Sequence, residues 1–126
     1  KVRVNQSIFR TMVLATYNNK CCVTGIDNTD LLIASHIVPW SKDEKNRLNP
    51  MNGLCLNALH DRAFDKGLIT VSAEDYTIKI SSKLKKKNII ESIEQNFINL
   101  EGEIILLPDK FRPSKEFLKI HNDRFK

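Results

Sequence analysis

The sequence predicts an α+β fold, with helices towards both ends of the chain and short paired strands between them. Three observations carry this. Apolar residues near both termini recur at helical spacing, the segments around 31–57 and 68–81 alternate over only a few residues, and Asn, Gly, Asp and Pro punctuate the joins.

The first helix falls on Ser7 to Tyr17, where Ile8, Phe9, Met12, Val13 and Tyr17 share one face. "NNKCCVTGIDNTD" breaks that periodicity and reads as a loop, with a short extended piece at Cys22 to Thr24. "LLIASHIVPW" is rich in β-branched residues and runs into a proline, so it reads as a strand ending in a turn. After the polar loop "SKDEKNRLNP", "NGLCLN" returns as the second strand of a hairpin. "ALHDRAFDKG" is then a helix of two to three turns, closed by Gly67 in a C-cap position. "LITVSAEDYTIKIS" predicts a second hairpin around Ala-Glu-Asp, with Tyr76, Ile78 and Ile80 on one face. Ile89, Ile93, Phe97 and Leu100 give a further helix, and "EIILLP" reads as a last strand. A closing helix starts after Ser114, a good N-cap, and carries Phe117, Leu118, His121 and Phe125.

A chain of 126 residues suits one domain with a real core, and we expect a single unit over 1–126. Twenty Lys and Arg against 15 Asp and Glu leave a net charge of +5, which favours a polyanionic partner, with nucleic acid first. No apolar run approaches the roughly 20 residues of a membrane span, and no signal peptide opens the chain. The expected location is cytoplasmic, with no membrane partner. Cys21, Cys22 and Cys55 are odd in number and lack the Cys-x-x-Cys spacing, which favours buried thiols in a reducing compartment over disulfides or metal ligands. A structural zinc domain built on them is the weaker rival.

Four polar features gather in the hairpin and the helix after it: His36, Asn52, the pair His60 and Asp61, and Asp65. The hairpin places Asn52 across from His36, and Asp61 and Asp65 stand one helical turn apart on one face. Metal-assisted phosphodiester hydrolysis needs a base for water, a divalent cation on the phosphate and a group that orients the base. Imidazole suits the first role because it is mostly neutral near pH 7.

"CCVTG", "LLIASHIVPW", "NPMNGLCLNALHDRAFDKGLI" and the late "LLP…P…FL…H", preceded by "RVNQSIFRTMVLATYNNK", together resemble the HNH endonuclease family, in the branch found among restriction endonucleases. The resemblance spans most of the chain, and its specificity lies in the order of the motifs. It implies a ββα-metal (His-Me finger) core over about 30–67, flanked by an N-terminal helix and by C-terminal hairpin and helix additions. It further implies a metal-dependent DNA endonuclease, the cleavage domain of a restriction enzyme. His36 matches the general base, Asn52 the central Asn that holds the hairpin loop, and His60 the final His, a metal ligand with a catalytic role.

Two departures accompany the match. Ser35 stands where many family members carry an acidic or His ligand, so one ligand is expected from elsewhere. The usual Asn-to-His spacing lands on Asp61 while His60 falls one short, which keeps His60, Asp61 and Asp65 all as metal candidates. Carboxylates favour Mg²⁺ or Mn²⁺, and imidazole admits Zn²⁺ or Ni²⁺. A DNA-binding module of the same fold that has lost catalysis is the competing function.

Each of these residues also has a plain structural reading. His36 alone is a core histidine, Asn52-Gly53 a turn dipeptide, and Asp61 a surface partner for Arg62 or Lys66. His121 reads as packing or capping, and Trp40 as packing. The basic run at Lys83, Lys85, Lys86 and Lys87 reads mainly as a solvated face, whereas Arg47 and Arg62 are better single candidates for DNA phosphate. The start at Lys1 reads as a fragment of a longer protein with a fused N-terminal recognition domain, and the reading leaves room for a homodimer.

Overall fold

The computed structural model describes residues 2–39 and 44–126. Trp40 lies outside them. Helix α1 (Val2–Thr16) begins five residues earlier than expected and is followed by a turn with Asn18 and Asn19 at positive φ, a conformation that Asn tolerates better than most residues. Its Phe9 and Val13 face is buried on a hairpin of β1 (Leu32–His36) and β2 (Gly53–Asn57).

The hairpin pairs antiparallel, with Leu32 opposite Asn57 and His36 opposite Gly53. Ile37 N–H carries the ladder one step further by donating to Asn52 O at 2.9 Å. Where β2 ends, the Asn57 side chain accepts from Leu59 N and His60 N and so starts helix α2 (Ala58–Asp65). Gly67 follows it at φ +72, a C-cap conformation that its missing Cβ permits. Strand, strand and helix thus form one continuous ββα unit, with Phe64 and Ala63 of α2 packed into the common core.

Strands β3 (Ile69–Val71) and β4 (Ile78–Ile80) form the second antiparallel pair. Three expectations are corrected around it. Cys22 to Thr24 is a turn rather than an extended piece, closed by Gly25 N–H to Cys21 O at 2.8 Å with Gly25 at φ +80. The helix expected over 89–100 is a short α3 (Glu91–Asn96) followed by a single 3₁₀ turn at Ile98–Leu100. Asn96 gives its carbonyl to His60 instead of to a continuing helix, and Phe97 leaves helical geometry at φ −133. "EIILLP" makes one bridge, Ile104 to Thr77, and then turns so that Leu106 N–H donates to Cys22 O, which ends any ladder with β4.

Helix α4 (Lys115–Arg124) starts where Ser114 Oγ accepts from Phe117 N. It packs on β3 through Asn122, whose side chain donates to Val71 O and Thr70 Oγ1 and accepts from Ala73 N. No helix is long and apolar enough to cross a membrane among the described residues.

Candidate active site

His36 ends β1, and two contacts hold its ring. Phe9 of α1 stacks on it, with centroids 3.8 Å apart and planes 7° from parallel. The stack depends on Gly53 directly across the hairpin, because a Cβ there would lie 2.5 Å from Val13 Cγ2 and 2.9 Å from Phe9 Cζ. The second contact is polar: His36 Nε2 lies 3.0 Å from the Arg47 carbonyl. A carbonyl only accepts, so Nε2 carries the hydrogen and the lone pair of the neutral ring sits on Nδ1. Burial lowers the His36 pKa, against a smaller upward pull from that carbonyl, so the ring is held in its proton-accepting form at neutral pH.

Asn52 is buried beside this loop. Its Oδ1 accepts from Val38 N at 2.9 Å and its Nδ2 donates to Val38 O at 3.1 Å, so the side chain mimics one more rung of the hairpin. A longer contact from Nδ2 to Asn46 O, 3.4 Å, ties the same side chain to the segment that presents Arg47. Asn52 thus holds both ends of the loop that orients His36.

Beyond His36 lies a cleft of about 170 Å³ whose wall includes Ser35, His36, Asp61, Asp65 and Arg124. The buried Ser35 hydroxyl donates to Asp61 Oδ1 across the gap between β1 and α2. Asp65 stands one turn further along the same face of α2. The i, i+4 spacing of two carboxylates therefore opens onto the space that the imidazole also lines.

His60 is not brought to that space. It is 1% exposed, its Nε2 donates to Asn96 O at 2.7 Å, and its Nδ1 accepts from Asn57 Nδ2 at 3.0 Å. One residue along a helix is a rotation of about 100°, which turns His60 into the core and Asp61 into the cleft. His121 is likewise enclosed, 0% exposed, with Nε2 donating to Phe64 O at 2.8 Å, Nδ1 accepting from Thr70 Oγ1 at 2.7 Å and its ring stacked on Phe64. Of the three histidines, His36 is the one that lines the cleft.

Arg47 reaches the site through its backbone carbonyl. Arg62 is exposed on α2 and is not part of the cleft wall. Lys85 pairs with Glu101 at 2.8 Å on the surface. Two contributors escaped the sequence reading. Ser35, noted there as a missing ligand, is the hydrogen-bond partner of Asp61, a pairing that its small polar side chain permitted but did not announce. Arg124 comes from the far end of the chain and carried no signal by spacing.

Asp61 and Asp65 supply hard oxygen donors, which fit a cation of the Mg²⁺ or Mn²⁺ class that completes its shell with water and substrate oxygens. They do not make a closed cage: among the described residues no three His, Cys, Asp or Glu side chains converge. Cys21, Cys22 and Cys55 are all buried in the core, where burial raises the Cys22 thiol pKa and pushes that of Cys55 up to about 12.

A family model described as HNH endonuclease matches residues 21–72, a span that holds the hairpin, α2 and every cleft residue named above except Arg124. Among solved structures, one described as "Modification dependent TagI restriction endonuclease" superposes with a TM-score of 0.60 at 18% identity, over 93% of this chain and 37% of that one. At that identity the likeness is one of fold, and the chain spans little more than a third of that protein's length. No curated protein matches the chain.

Proposed function

We propose, from the match of residues 21–72 to a family model described as HNH endonuclease, that the chain is a metal-dependent endonuclease that hydrolyses DNA phosphodiester bonds. The single observation that carries the reading is the cleft in which a base-form imidazole, His36, and two carboxylates, Asp61 and Asp65, share one wall. His36 Nδ1 takes the proton of the attacking water, while the Arg47 carbonyl on Nε2 keeps the ring in that tautomer and stabilises the imidazolium that forms. Phe9 holds the ring plane, and Asn52 holds the loop that supplies the carbonyl. Asp61, oriented by Ser35, and Asp65 would hold a divalent ion, whose chemistry there is to neutralise charge on the phosphate and on the leaving oxygen. His60 supports α2 from the core side in this reading and is not a ligand. The partial match to a much longer protein supports the chain being the cleavage domain of a restriction enzyme that recognises its target elsewhere.

Plasmid cleavage in Mg²⁺, Mn²⁺, Ni²⁺ and Zn²⁺ tests the proposal. General-base catalysis is worth about 10²–10⁴ in rate, so His36→Ala should lose cleavage by at least the lower figure while its melting temperature stays near that of the parent. Parental cutting by this variant would overturn the assignment. The competing reading, a DNA-binding module of the same fold without catalysis, is favoured by the open donor set. Calorimetric titration separates the two: the nuclease binds one divalent ion and loses it with Asp61→Ala, and the degenerate module binds none.

A further inference from the structure

The cleft wall contains a charge that the base and carboxylates do not explain. Among the described residues lining it, Arg124 is the one Lys or Arg. Its guanidinium donates from Nη2 to the Asp65 carbonyl at 2.9 Å, which uses one of its five N–H groups, and among the described residues it forms no ion pair. The side chain is thus anchored at the rim beside the two carboxylates with most of its donors uncommitted to a carboxylate.

Arg124 is also held there from behind. His121 and Asn122 fasten α4 to α2 and β3 through buried or half-buried hydrogen bonds, and Lys126 N–H donates to Gly67 O at 2.9 Å. The Arg124 carbonyl approaches so closely that a Cβ at Gly67 would lie 2.7 Å from it. The last turn of α4 is therefore in fixed register with the end of α2, and the guanidinium keeps its place relative to Asp65.

A phosphodiester is an anion, and it must enter a cleft already lined by Asp61 and Asp65. Guanidinium answers that chemistry with a planar fork that matches two phosphate oxygens. We infer that Arg124 contacts the non-bridging oxygens of the DNA phosphate entering this cleft, so that the C-terminal helix, outside the family-matched segment, supplies the phosphate contact to a site otherwise built from residues 35–65. The inference rests on the nuclease reading for its substrate.

The test uses two neutral variants, Arg124→Gln and Arg124→Met, with Arg124→Lys as rescue. Either neutral variant that melts with the parent carries it. Binding to a short DNA duplex is measured across salt concentrations in Mg²⁺ in the His36→Ala background, and plasmid cleavage is measured with His36 intact. Loss of one phosphate contact should flatten the slope of log K against log salt by about 0.9, and Arg124→Lys should restore it. Cleavage by the neutral variants should fall about 10²-fold, the scale for losing one donor to a reacting oxyanion. A parental slope overturns the inference whether or not cleavage falls, since a purely structural tie to Asp65 would leave counterion release untouched. If the parent protein does not cut but the slope changes as stated, the nuclease reading fails alone.

Discussion

Ser35 acts on the cleft through its hydroxyl, which donates to the Asp61 carboxylate from β1. A larger acidic or imidazole side chain at this point of β1 would project into the cleft itself, whereas Ser35 stops short and donates to Asp61. In the proposed site, where Asp61 would hold the ion, fixing its carboxylate in this way matters because partners of metal ligands typically contribute 10- to 100-fold in affinity. Ser35→Ala should therefore weaken Mn²⁺ binding by roughly 10- to 100-fold while His36 and the hairpin are unchanged, as titration calorimetry would read. Unaltered affinity would show that Asp61 needs no support. At the same scale, the neighbours His60 and Asp61 illustrate how a single step in sequence decides between core and cleft. Both residue types suit a metal, and the helix phase assigns only one of them to the open side.

At the level of elements, α1 acts on the site through close approach to the hairpin. Phe9 can lie flat on His36 because Gly53 leaves room for it and for Val13. Gly53→Ala places a methyl within 3 Å of both side chains, so α1 must move away or the hairpin must distort. Overpacking of this kind costs about 1–3 kcal/mol, and urea denaturation should show a loss in that range. Cleavage should fall with it, because the surface that holds the imidazole is displaced. The element boundaries also explain where periodicity misled. Ile89 fits a helical pattern with Ile93 and Phe97, yet α3 begins only at Glu91, leaving the Ile89 side chain exposed, and at its far end the Asn96 carbonyl is committed to His60, 36 positions away in the chain. No local pattern encodes a carbonyl acceptor recruited from such a distance.

Across the whole molecule, the three histidines share one electrostatic sign. Burial lowers the pKa of each, and His121, enclosed between α4, α2 and β3, is lowered to about 4. In the unfolded chain it titrates near 6.5, so between these values the unfolded state binds more protons. The stability associated with neutral His121 is thus fully present above pH 6.5 and is lost as pH falls towards 4, by about 3 kcal/mol from this group. Denaturation midpoints measured from pH 7 to 4 should fall accordingly, and His121→Gln should give a protein weaker at neutral pH with a shallower acid slope. An equally steep slope in the variant would assign the effect to other groups.

Local order along the chain was sufficient for much of the centre of this protein. Alternation and turn residues located β1, β2 and α2, the hairpin spacing came within one residue of the register, in which Gly53 rather than Asn52 lies across from His36, and the one-turn interval placed Asp61 and Asp65 on a shared face. These follow from strand and helix periods, which any short segment carries within itself. Tertiary packing decided the rest. It turned His60 into the core against Asn96, paired Ser35 with Asp61, laid Phe9 on His36 and brought Arg124 to the rim beside Asp65. Each of these contacts joins elements far apart in sequence, and their relative placement is set by which apolar faces bury one another, a property of the assembled core that no single segment contains.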